Sequence, residues 1–228
     1  MTTPPTLARR VAAETLGTFF LLAAVVGSGI MGERLAGGNV AIALLANSVA
    51  TGAALVALIL SLGPVSAHFN PAVTAVEAIR GGLPWREVGP YMGAQLLGAL
   101  AGVAAAHVMF GHPLFAASAH SRAGLAQAFS EFVATFGLVA VIRGCSSRRP
   151  AAVPYAVAAY ITAAYWFTSS TSFANPAVTL ARSLTDTFSG ILPADAPAFI
   201  VAQLLGAVAA GLLFEWLMPA GLPAQEAP

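Results

Sequence analysis

Six stretches long enough to cross a lipid bilayer constrain this chain more than any other feature, at about 11–31, 40–62, 90–110, 124–142, 151–167 and 198–218. A hydrocarbon layer of ~30 Å takes about 20 helical residues to cross. Of the 228 residues 58% are hydrophobic and only 8% charged, against roughly a quarter charged in an ordinary soluble domain. A water-facing surface cannot be built from that composition, so the expected class is an all-α membrane protein. The first stretch is preceded by Arg9 and Arg10, as in a secretion signal, but it contains Glu14 and is too long for a signal core. It reads as a retained first span.

Charge and cysteine usage narrow the function. The net charge is +1, and the ten basic residues, all arginine, are spread along the chain, which excludes the dense basic face that nucleic acid requires. A single cysteine, Cys145, excludes an intramolecular disulfide and a multi-thiolate metal site. An even number of spans puts both termini on one side. Arg9, Arg10, Arg80, Arg86, Arg143, Arg148 and Arg149 fall on that side, and only Arg34, Arg122 and Arg182 on the other. The positive-inside tendency therefore predicts cytoplasmic termini.

Two connections, 63–89 and 168–197, are too long and apolar for ordinary loops. Each carries Asn-Pro-Ala-Val-Thr, at Asn70–Thr74 and Asn175–Thr179. Gln-Leu-Leu-Gly-Ala occurs at Gln95–Ala99 and Gln203–Ala207, and Glu-x-x-x-Thr-Phe at Glu14–Phe19 and Glu131–Phe136. Three echoes in the same order mark an internal duplication, repeat one about 8–110 and repeat two about 124–218, within one membrane domain covering 1–228. Each repeat crosses an odd number of times, so the second enters from the opposite face and the working site belongs at the midplane.

Asparagine is a strong N-cap and proline suits the first helical turn, so each motif reads as a helix start. The segments 72–80 and 177–184 allow helices of only ~12–15 Å, half a membrane. Entering from opposite faces, they meet end to end with both N-termini, partly positive, at the centre. Each asparagine can cap with its carbonyl and donate from its NH2 group into a lumen. Such a pair of donors orients a passing hydroxyl, and the positive field opposes cations and protons.

The sequences SAHFNPAVT and SFANPAV, with the two Glu-x-x-x-Thr-Phe starts, resemble the aquaporin and aquaglyceroporin family of major intrinsic proteins. The resemblance covers about 8–218. It implies six transmembrane helices plus two re-entrant half-helices, an hourglass pore in each subunit of a homotetramer, and midplane motifs Asn70, Pro71, Ala72 and Asn175, Pro176, Ala177 in which Asn70 and Asn175 face the pore. It also implies that His68 lines the cytoplasmic half of the pore. The chain departs from the family where the usual arginine after the second Asn-Pro-Ala is Val178, and where Ser66-Ala67-His68 replaces a Ser-Gly-Ala-His stretch. Counting along the family pattern, the outer constriction takes Ala163, Ser172, Val178 and Thr51, with Ala50 as the alternative to Thr51. None is aromatic or charged, so a wide, weakly polar filter is expected. Arg182, four residues after Val178 and on the same helical face, either snorkels to the outer interface, the default for an arginine near a helix end, or reaches back over the mouth.

Glu14 and Glu131 are costly in lipid and sit at equivalent repeat positions, so they are expected to accept hydrogen bonds from the re-entrant loops. The rows Ala94, Gly98, Gly102, Ala106 and Ala202, Gly206, Ala210 read as close helix packing. His107, His112 and His120 share no ligand spacing, and no metal or cofactor is expected. Trp85, Trp166 and Trp216 near span ends read as interfacial anchors. The expected function is a passive channel of a bacterial inner membrane for small uncharged polar solutes: glycerol-sized molecules, neutral metalloid hydroxides such as arsenite, and water. The chain resembles some bacterial members of the family that carry the valine substitution and are associated with arsenic resistance. The rival reading is an ion-coupled secondary transporter, since inverted repeats with broken helices build those too.

Overall fold

A computed structural model describes residues 4–218. Eight α-helices follow in order: α1 Leu7–Leu35, α2 Val40–Leu62, α3 Pro71–Ile79, α4 Trp85–Phe110, α5 Leu125–Ser146, α6 Val153–Phe167, α7 Pro176–Arg182 and α8 Ala196–Leu217. No strand occurs among the described residues. Five of the helices, α1, α2, α4, α5 and α8, are long and apolar enough to cross a membrane. The sixth crossing, α6, has only 15 residues and is extended by a 3₁₀ turn at Pro150–Ala152.

Local chemistry sets the ends. Asn39 caps α2, its Oδ1 accepting from the N–H groups of Ala41 and Ile42 at 3.1 and 3.2 Å. Gly111, at φ 72°, closes α4 in the left-handed conformation that glycine takes without strain. The third span begins at Trp85, with Pro84 as its cap, and carries Pro90 inside its second turn. The sequence-based start at Pro90 was therefore five residues late, because proline is tolerated near a helix start beyond its first position.

The halves pack alike. α1 lies against α4 as α5 lies against α8, α1 meets α2 as α5 meets α6, and α2 crosses to α6. Each short helix touches the last long helix of both repeats, α3 and α7 alike meeting α4 and α8, and the two also touch each other. The small-residue rows permit this close approach. A Cβ on Gly98 would stand 2.3 Å from the carbonyl oxygen of Thr15 in α1, and one on Gly206 would stand 2.3 Å from that of Phe132 in α5. Outward faces carry Leu97, Val108, Phe129, Leu205 and Leu212, and Trp85, Trp166 and Trp216 stand exposed near helix ends. Lipid is the solvent for such a surface.

Candidate functional site: a central pore between the half-helices

The site rests on two buried carboxylates. Glu14 of α1 is 0% exposed. Its Oε1 accepts from the Ser66 hydroxyl at 2.5 Å and the His68 N–H at 2.8 Å, and its Oε2 from the Phe69 N–H at 2.6 Å and Gln95 Nε2 at 2.8 Å. Glu131 of α5, also 0% exposed, accepts from the N–H groups of Phe173 and Ala174 at 2.9 and 2.8 Å and from Gln203 Nε2 at 2.6 Å. Backbone donors in loops that dip into the membrane have no water to turn to, and one carboxylate in each repeat takes several at once. Gln95 and Gln203 also donate to Thr74 and Thr179, whose hydroxyls donate in turn to the Asn70 and Asn175 carbonyls.

The residues before the two asparagines, Phe69 and Ala174, both adopt φ 49°, a conformation that costs a non-glycine residue roughly 1–2 kcal/mol. Each is held from both sides. The N–H donates to the carboxylate of its own repeat, and the carbonyl accepts from the asparagine of the other. Asn70 Nδ2 donates to Ala174 O at 2.7 Å, and Asn175 Nδ2 to Phe69 O at 2.7 Å. The side-chain oxygens cap the half-helices, Asn70 accepting from Ala72 N–H at 2.9 Å and Asn175 from Ala177 and Val178 N–H at 3.0 and 3.3 Å. One hydrogen of each NH2 group is thus spent on a reciprocal strap between repeats, leaving one for the lumen. The sequence marked the caps but held no sign of the straps.

Both asparagines line a cavity of about 310 Å³ that runs between the halves. One wall is apolar, made by Leu21 and Val25 of α1, Leu55 and Ile59 of α2, Leu138 and Ile142 of α5, and Val157 and Ile161 of α6. Pro71, Ala72, Pro176 and Ala177 are buried beside it. On the side where α1 begins, the lining includes His68, whose Nδ1 lies 3.1 Å from the Thr74 hydroxyl, and Glu77, which stands 3.9 Å from both Arg80 and Arg143.

The opposite half is lined by Thr51, Tyr165, Ser172, Phe173, Val178 and Arg182. Two sequence-based expectations change here, and one alternative is narrowed. Ala163 is exposed on the outer face of α6 and does not line the cavity. Two residues along a helix turn the side chain by ~200°, so the cavity face of α6 carries Tyr165 instead, its hydroxyl 3.2 Å from that of Thr51. Ala50 is half-buried and off the lining, which leaves Thr51 on α2. Arg182 does not snorkel outward. It is 2% exposed, its Nε donates to the Ser189 carbonyl, and its guanidinium lies 3.3 Å over the Phe173 ring. The cavity wall here is therefore aromatic and charged as well as small. Among the described residues no group of three or more His, Cys, Asp or Glu stands together as a metal site.

The major intrinsic protein family model matches residues 1–153 and 146–227. Aquaglyceroporin AqpS of Rhizobium meliloti (strain 1021) is 56% identical over 218 residues, 95% of this chain and 93% of that protein. A probable aquaporin, AqpM, of Archaeoglobus fulgidus is 35% identical over 93% of this chain and 98% of its own. The X-ray structure of the aquaglyceroporin from Plasmodium falciparum superposes with a TM-score of 0.75 at 22% identity, covering 94% of this chain and 98% of that one. At that identity the likeness is one of fold.

Proposed function

As the chain belongs to the major intrinsic protein family, we propose that it is a passive membrane channel for glycerol-sized, uncharged polar solutes. The single observation that carries this is the cavity itself, which passes both asparagines between the half-helices and is flanked by one apolar wall. A solute with several hydroxyls fits such a lumen, its carbon face against Leu21, Leu138 and Val157 and its oxygens toward the donors. Thr51, Tyr165, Ser172 and Val178 form the outer constriction in this reading. Val178 leaves room that a longer side chain would fill, which admits glycerol and neutral metalloid hydroxides such as arsenite besides water. Asn70 and Asn175 set the midplane barrier to cations, their free N–H groups orienting each passing oxygen. Glu14 and Glu131 keep the re-entrant loops in place.

The protein works as a homotetramer with one pore per subunit, in a bacterial inner membrane with both termini cytoplasmic, as the arginine distribution favours. The test is a proteoliposome swelling panel of water, glycerol, urea and arsenite. Glycerol and arsenite are expected to enter well above protein-free vesicles. Water flux alone removes the wide-filter reading, and no flux of any solute removes the channel reading.

A further inference from the structure

We propose that Arg182 is a specificity-determining residue of this pore, a guanidinium set one helical turn further from the midplane than Val178, selecting polyhydroxylated neutral solutes over cations and single-carbonyl amides. This rests on the channel reading above.

The inverted repeat puts two charges at matching positions. Glu77 lies seven residues after Asn70, and Arg182 seven after Asn175. Both line the cavity, on opposite sides of the midplane. Their surroundings differ. Glu77 is flanked by Arg80 and Arg143, each at 3.9 Å. Arg182 has no ion-pair partner among the described residues, and the other charged group recorded over the same Phe173 ring is a second cation, Arg122, at 5.1 Å. Glu77 thus sits in direct reach of two arginines, while Arg182 has no carboxylate within ion-pair distance among the described residues.

A buried guanidinium without a carboxylate is costly unless its donors are used. The Arg182 Nε is used by the Ser189 carbonyl, and stacking on Phe173 holds the planar group in one orientation. The two terminal nitrogens have no protein acceptor among the described residues, and the side chain faces the lumen. Beside it the Ser172 hydroxyl is buried without a partner. Two coplanar NH2 groups, four N–H donors in all, on one side of a lumen favour acceptor oxygens in whatever passes. A polyol offers several in sequence. Urea offers one oxygen and four N–H groups that face donors. A cation meets a guanidinium that no carboxylate among the described residues pairs directly, in a low-dielectric tube.

The experiment uses the full-length protein in proteoliposomes, with glycerol and urea swelling and proton leak under an imposed potential measured for wild type, Arg182→Gln, Arg182→Lys and Val178→Arg/Arg182→Gln. Arg182→Gln should lower the glycerol-to-urea permeability ratio about tenfold, the worth of one hydrogen bond to a charged group, and raise proton leak. The double variant, which returns a guanidinium one turn inward, should restore proton exclusion. A conducting wild type whose ratio and leak stay within about twofold in Arg182→Gln overturns the proposal. If Arg182→Gln fails to assemble, Arg182→Lys decides. Kept proton exclusion with a lowered ratio supports the planar donor pair, and an unchanged ratio overturns it. A wild type that passes neither solute instead removes the channel reading on which this rests.

Discussion

Each re-entrant loop hangs from one carboxylate, and that makes two glutamates more exacting than their distance from the lumen implies. In Glu131→Gln one acceptor oxygen becomes an NH2 group facing either the Phe173 N–H or, at the other oxygen, both the Ala174 N–H and Gln203 Nε2, all of which donate in the native protein. Donor against donor in a buried site is expected to cost about 2–4 kcal/mol, read as a lower unfolding temperature in detergent, and Glu14→Gln should behave likewise. Asn175→Asp tests the barrier. It places negative charge at the midplane and sets an oxygen against the Phe69 carbonyl in place of the strap. Proton leak should rise, and tetramers with unchanged leak would remove the asparagines from the barrier. At this scale the repeated Asn-Pro-Ala and Glu-x-x-x-Thr-Phe words were legible because duplication prints each residue twice. Tyr165 and Arg182 were not. Ala163 was placed by counting along the family pattern, and a slip of two residues along a helix turns the side chain by ~200°. The snorkelling reading of Arg182 assumed an open helix end, whereas the segment after α7 folds back over it, Ile191 N–H donating to the Arg182 carbonyl at 3.2 Å.

Helix contacts here are backbone contacts, since lipid offers no hydrophobic drive between apolar surfaces and close approach must supply the attraction. Gly98 of α4 rests on the Thr15 carbonyl, so Gly98→Ala forces α1 and α4 apart or bends one of them, at an expected cost of about 1–3 kcal/mol. Gly93, on the same helix with open space around its would-be Cβ, is the control. Gly93→Ala should be neutral or slightly stabilising, because alanine is the better helix former by about 1 kcal/mol. Equal thermal stability of the two variants would show that packing at the small-residue row does not hold the repeat together. The six crossings and two half-helices were readable from apolar length and the proline-asparagine starts. Their ends were less so, since Pro90 reads as a boundary while the helix runs through it, and the α6 crossing needs its 3₁₀ turn to reach membrane length.

For the whole molecule the question is whether the halves move. A rocking transporter must part its repeats at the central site in each cycle. Here that site is where the repeats are tied, by Asn70 to Ala174 and Asn175 to Phe69, both at 2.7 Å and both buried, while α2 and α6 cross beside them. Rupture of two such bonds away from water leaves four donors and acceptors unpaired, at about 1–3 kcal/mol each. The cavity already lies past both asparagines with the straps intact, so conduction requires no such rupture. Glycerol flux into proteoliposomes is therefore expected to rise in proportion to the concentration difference and to be indifferent to a protonophore or to sodium. Its temperature dependence should be shallow, since no packed interface opens. Saturation at low solute concentration, with loss of uptake when the proton or sodium gradient is collapsed, would mean that the straps break in every cycle and that the repeats rock as a carrier.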